Sequence, residues 1–179
     1  MSERRYLGDS EINFLQTESF VENKRGRKRK VPYYLIIQTL LHTGLRVSEL
    51  CSLIPQDINF SERIIHVRGK GGNKRSVDIN TEISSLLRLH IANKKIKVKE
   101  KVFPYHRSSI NKMMQKYKES WGPHMLRHTY AKKVLENVGN IRFLQKQLGH
   151  KSLNTTAQYL KMLPFKKQKE LLENLLDEE

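Results

Sequence analysis

The chain has 179 residues, 37% of them hydrophobic, enough for one core and too few for two well-buried domains. Its 34 Lys and Arg against 18 Asp and Glu leave a net charge of +16, which excludes a near-neutral enzyme of small metabolites and points to a polyanionic partner. Cys51 is the only cysteine, so an internal disulfide is excluded, and no apolar run approaches the ~20 residues of a membrane span.

Along the chain, LGDSEINFLQTESF (7–20) predicts an opening helix with Ser10 as its cap and Ile12, Phe14, Leu15 and Phe20 as apolar positions. KRGRKRK (24–30) carries six cations in seven positions and reads as a solvated loop or arm. Apolar spacing returns from Pro32 to Leu41 as a helix, with Gly44 just past its end, and a second short helix follows from Val47. The period then changes. RIIHVRGKGGNKRSVDI (63–79) predicts a β-hairpin with Lys70 at its tip, since Ile64, Ile65 and Val67 are strand formers and Val77 and Ile79 alternate on the return. Thr81 is placed to cap a helix carrying Ile83, Leu86, Leu87 and Leu89, and KKIKVKEK (94–101) reads as an exposed cationic stretch. Helices are expected after Ser108 and Ser109, from Pro123, from Asn140 to Leu148, and around Tyr159. Pro164 breaks the chain before a last amphipathic segment with Leu171, Leu172, Leu175 and Leu176 at helical spacing. The sum is an α+β domain, mostly helical, with a small antiparallel sheet and no internal repeat.

Taken singly, the polar candidates have ordinary explanations. Arg46 and Glu49, three apart, can pair on one helical face. His124 and His128, four apart, lack both the intervening acid of a zinc helix and a cysteine pair, so no metal is expected. His124 and Arg127 also share a face and read better as an anion clamp. The glycines around Lys70 do not follow the order of a nucleotide-binding P-loop, so nucleotide hydrolysis is unsupported. Tyr159, in LGHKSLNTTAQYLK, reads on its own as a core aromatic.

The set taken together reads differently. TGLRVSEL (43–50), GKGGNKR (69–75), HMLRHTYA (124–131) and LGHKSLNTTAQYL (148–160) resemble, in order and spacing, the boxes of the catalytic domain of the tyrosine recombinases, the phage-integrase family. The resemblance runs from about Leu7 to Tyr159. It implies that Arg46 and Arg127 hold the scissile phosphate, that Lys70 is the hairpin lysine, that His124 and His150 are the active-site histidines, and that Tyr159 is the nucleophile, with Glu49 as an auxiliary acid. Arg27, Lys28, Arg29, Lys30, Lys74 and Arg75 are expected to contact DNA. The implied activity is site-specific cleavage and rejoining of double-stranded DNA through a 3′-phosphotyrosyl link, needing neither ATP nor metal nor any other cofactor. Lys70 would protonate the leaving 5′-hydroxyl and His124 would take or relay the phenol proton.

Residues 1–163 are then the catalytic domain and 164–179 a C-terminal helix that either packs on its own domain or is exchanged between protomers. The family's N-terminal core-binding domain is expected to be absent. A monomer is expected in free solution and a homotetramer on DNA, in a cytoplasmic, intracellular setting. Two competing readings stay open: a type IB topoisomerase, which uses similar groups without a fixed site, and a DNA-binding regulator without catalysis.

Overall fold

A computed structural model describes residues 6–24, 32–68 and 74–176. Helix α1 (Asp9–Lys24) begins one residue before Ser10, and the Glu11 carboxylate accepts from the Gly8 N–H at 2.9 Å, so the first turn is closed by Glu11 rather than by a Ser10 cap. Pro32 precedes α2 (Tyr33–Thr43), which ends on Gly44 in the left-handed conformation at φ +60°. A β-carbon at this position would lie 2.4 Å from Tyr130 Cδ1, so both the turn and the close approach of the later helix require glycine. α3 (Val47–Ser52) follows after only Leu45 and Arg46.

The sheet has the order β1–β2–β3 and is antiparallel throughout: β1 (Ile58–Asn59), β2 (Ile64–Arg68) and β3 (Lys74–Asp78). The expected hairpin is present, and two-residue β1, too short to leave a period in the sequence, adds an edge strand. Register pairs Ile65 with Val77 and Val67 with Arg75. Because opposite residues in an antiparallel pair share a face, Arg75 lies on the same side as these buried apolar residues, while Lys74, opposite Arg68, lies on the exposed side.

α4 (Thr81–Lys94) is capped by Asn80, whose Oδ1 accepts from the Ile83 N–H at 2.8 Å; Thr81 is the first helical residue instead. The lysines of 94–101 are exposed as expected, and the chain returns to the core at Val102 and Phe103. α5 (Arg107–Tyr117), α6 (Pro123–Asn137), α7 (Ile141–Leu148), the short α8 (Leu153–Ala157) and α9 (Phe165–Leu176) complete the chain. Among the described residues no helix is long and apolar enough to cross a membrane.

The buried residues form two clusters. The larger joins α1–α5, the sheet and Leu126, and the smaller joins Tyr130, Ala131 and Leu135 to α7, Tyr159, Leu163 and Leu171 of α9. Helix α6 belongs to both. Its Arg127 lies between Leu126, which packs in the first cluster, and Tyr130, which packs in the second, and the candidate site lies at that junction.

Candidate active site

Arg127 is 3% exposed, and its guanidinium is tied to two distant backbone segments. Nη1 donates to the Gly44 carbonyl, at the end of α2, and Nη2 donates to the Leu148 carbonyl at 2.7 Å, at the end of α7. Both carbonyls are left over by helices that terminate there, so a cation meets the negative end of each. One side chain thereby joins three segments that are far apart in sequence. Burial, together with the nearby Arg46 charge, pulls its pKa down to about 10, still well above neutrality, so the guanidinium stays charged.

Arg46 is the residue just before α3, and its backbone N–H donates to Glu49 Oε2 at 2.7 Å while its Nη1 pairs with Glu49 Oε1 at 3.1 Å. Its side chain is 40% exposed, against 6% for Glu49, so Arg46 keeps a face open to an incoming anion. The other side of Glu49 is taken by Arg75: Nη1 donates to Oε1 and Nη2 to Oε2, each at 2.8 Å, the forked geometry that only a guanidinium provides. Arg75 Nε donates in turn to the Gln147 carbonyl at 2.9 Å. Burial pushes the Glu49 carboxyl up, but the hydrogen bonds from Arg75 and the Arg46 backbone outweigh it, and Glu49 stays below the usual carboxylate range. Gln147, fully buried, also donates through Nε2 to the Asp78 carboxylate and accepts from the Asp78 N–H at 3.1 Å, fastening α7 to β3.

Gly149 ends α7 in the left-handed conformation, and a β-carbon there would lie 2.6 Å from Arg75 Cδ. His150 follows. Its Nδ1 lies 2.9 Å from Thr156 Oγ1 and its Nε2 lies 3.3 Å from Arg127 Nη2. The guanidinium can only donate, so Nε2 is the acceptor and Nδ1 carries the proton toward Thr156. Burial and the surrounding charges of Arg127, Arg46 and Arg75 lower the His150 pKa to about 4, which makes the ring neutral at pH 7.

Tyr159 was expected on a helix but sits between α8 and the 3-10 turn Leu160–Met162. It is 6% exposed and packs in the smaller cluster, its ring parallel to His150 within 4° at 6.2 Å between centroids. Its hydroxyl lies 3.2 Å from His128 Nδ1. Burial pushes the phenol pKa up, and the charge and a side-chain hydrogen bond of Arg127, with a smaller part from Arg46, pull against it without cancelling it. Tyr159 is therefore both a core aromatic and a hydroxyl held among cations.

Arg46, Glu49, Arg127, His150 and Tyr159 are thus brought together from three separated segments, 43–50, 124–131 and 148–160. His124 lies one turn before His128 on α6, exposed, with its ring stacked on that of His128 at 6.1 Å. Lys70 and Arg27, Lys28, Arg29 and Lys30 lie outside the described residues. Lys74 is exposed on the outer face of β3. Arg75, expected on DNA phosphates, is instead turned inward, its side chain 10% exposed and committed to Glu49 and Gln147. Sequence reasoning missed His128, Gln147 and Thr156. His128 has a signal, since positions 124, 127 and 128 share one helical face, but by itself that face suggests a metal pair with His124 or an anion clamp of His124 and Arg127, not a partner for Tyr159.

The model of the phage integrase family matches residues 10–164 of the chain. The tyrosine recombinase XerA of Pyrococcus furiosus is 39% identical over 169 residues, a match that takes in 84% of this chain and 57% of that protein. A crystal structure of XerA recombinase superposes with a TM-score of 0.75 at 29% identity, over 94% of this chain and 64% of the other. The fold is also shared, at 23% identity and a TM-score of 0.75, with XerH site-specific recombinase bound to difH substrate, over 98% of this chain and 55% of that one. The chain spans about half the length of the curated relatives it matches.

Proposed function

The chain belongs to the phage integrase family, the tyrosine recombinases, and from that premise we propose that it cleaves and rejoins double-stranded DNA at specific sites through Tyr159. The observation that carries this reading is the convergence of Arg46, Arg127, His150 and Tyr159 at the junction of the two cores. A phosphodiester needs its attacking oxygen held in line and the charge on its non-bridging oxygens balanced, and two guanidiniums supply that balance without a reorganisation cost at the moment of reaction. Arg127 is pre-set by its two carbonyls, and half-exposed Arg46 is oriented by Glu49, itself braced by Arg75. His124 adds a donor from the exposed end of α6.

His150 is neutral in the free protein, with Nε2 receiving from Arg127. A phosphate arriving beside it adds negative charge, favours the imidazolium, and turns Nε2 into a donor toward a non-bridging oxygen. Tyr159 then displaces the 5′ oxygen, which takes a proton from Lys70, leaving a 3′-phosphotyrosyl bond that stores the energy for rejoining. Neither ATP nor a metal has a step in this scheme. The chain works on DNA in the cytoplasm, as a monomer when free and as a tetramer on DNA. Leu171 of α9 packs on its own smaller cluster, in keeping with the free monomer, and α9 is exchanged between protomers on assembly.

The test is covalent capture. Genomic fragments and a library of nicked duplexes are incubated with the protein, denatured, and sequenced from the adduct. Adduct formed by the wild type and none by Tyr159→Phe is expected. Adduct persisting in Tyr159→Phe refutes the nucleophile, and relaxation of arbitrary supercoiled plasmid without a preferred site replaces recombination with topoisomerase action. Light scattering with and without captured DNA, on the full chain and on one ending at Leu163, tests exchange of α9. Identical assembly by both refutes it.

A further inference from the structure

We propose that His128, rather than His124, takes the proton from the Tyr159 hydroxyl as that oxygen attacks phosphorus; this rests on the strand-cleavage reading above and adds a catalytic residue to it. The hydroxyl has two polar neighbours on α6. One is Arg127, whose guanidinium carries donors only, so it can bond to the phenol oxygen but cannot receive the proton. The other is His128 Nδ1 at 3.2 Å, whose lone pair is the acceptor left for the O–H. The other two histidines of the site are placed for different work. His150 has Nδ1 against Thr156 Oγ1 and Nε2 against Arg127 Nη2, so both ring nitrogens are engaged away from the phenol oxygen. His124 is exposed one turn earlier, and the ring it touches is that of His128, not of Tyr159.

Consecutive residues on one rigid helix therefore divide the two tasks at this oxygen. Arg127 stabilises the negative charge that develops on it, and His128 removes the proton. α6 is packed into both cores, so neither group needs to move when substrate arrives. In the cleavage step the Tyr159 Oη–P bond forms as the P–O5′ bond breaks. The phenol proton passes to His128 Nδ1, giving an imidazolium, and the departing 5′ oxygen gains a proton from Lys70. Rejoining runs the same transfers backward: the 5′-hydroxyl returns its proton to Lys70, and His128 returns the other to the released phenolate. No oxidant, metal or nucleotide enters the balance.

The experiment uses the full chain and the duplex captured by the wild type, resynthesised with either oxygen or sulfur at the bridging 5′ position of the scissile phosphate. A thiolate leaves without a proton, so sulfur repairs a missing acid but not a missing base. His128→Ala is expected to slow single-turnover adduct formation about 10²-fold or more on both duplexes, within the usual worth of a proton transfer. Lys70→Ala is expected to be slow on oxygen only. His128→Asn, which keeps a hydrogen-bond acceptor but cannot hold the proton, is expected to unfold at the wild-type temperature and to remain as slow as alanine. The proposal is overturned if His128→Ala cleaves within about threefold of wild type, if sulfur restores its rate, or if asparagine restores it, which would make His128 a positioning residue. Should the wild type capture no DNA at all, the strand-cleavage reading fails instead.

Discussion

Replacing Arg75 with alanine separates a core ion pair from a phosphate contact. In the structure its guanidinium forks onto Glu49 at 2.8 Å and 2.8 Å and holds the Gln147 carbonyl at 2.9 Å, with only 10% of the side chain exposed. Removing one partner of a buried pair costs about 3–5 kcal/mol, because the remaining charge is left in a poor solvent. Glu49 would keep Arg46 at 3.1 Å, and that half-exposed partner sets the expectation at the low end, about 3 kcal/mol. The freed Gln147 carbonyl adds about 1 kcal/mol. For a domain of this length the combined loss of about 4 kcal/mol corresponds to a fall in Tm of roughly 8–16 °C. Urea denaturation of wild type, Arg75→Ala, Glu49→Gln and the double variant gives the coupling directly, and the double variant is expected to be about 2 kcal/mol more stable than the sum of the singles predicts. A surface phosphate contact behaves differently: stability shifts by no more than about 0.5 kcal/mol, and the slope of log K against log salt flattens by about 0.9. That second pattern would refute the inward assignment of Arg75.

Acid should weaken the fold in two stages. Unfolded His150 binds a proton near its ordinary value while the folded form resists until about pH 4, so stability, complete above about pH 7, falls as pH drops through that window. The loss is about 1 kcal/mol after allowing for solvent screening of a partly buried ring, and urea midpoints across the range should lose this slope in His150→Ala. Glu49, held below the usual carboxylate range, contributes stability above its unfolded pKa that is lost as pH falls through the lower folded value, so its stage follows in stronger acid and is absent in Glu49→Gln. Gly44→Ala forces a left-handed backbone on a β-carbon that overlaps Tyr130; a cost of about 2–4 kcal/mol is expected by denaturation, with slower cleavage because the Gly44 carbonyl anchors Arg127. Deleting residues 24–30 should weaken DNA binding and flatten its salt dependence, and an unchanged slope removes that arm from the interface.

Most of the helices, and the segments that meet at the candidate site, were legible in the sequence. Helix ends marked by Pro32, Gly44, Pro123 and Gly149 fall where proline and glycine put them, because φ preference acts on a single residue and needs no neighbour. The box residues Arg46, Arg127, His150 and Tyr159 each sit in a short local frame that can be read along the chain, and the fold brings them near one another. The cap expected at Thr81 is off by one residue and that at Ser10 by two, within the competition between neighbouring side chains for the same N–H groups.

What only the tertiary structure decided is which of these groups face one another. Arg75 could have been read inward, because Val77 and Ile79 alternate and position 75 continues their face, but its charge in a basic hairpin suggested solvent, and Glu49, 26 residues earlier, is what makes burial tolerable. Arg127 meets carbonyls 83 and 21 residues away, and His128 meets a hydroxyl 31 residues away. Such pairings carry no period in the sequence. Spacing along the chain determines which side of its own element a residue occupies, and only the packing of one element on another determines which partner it finds there.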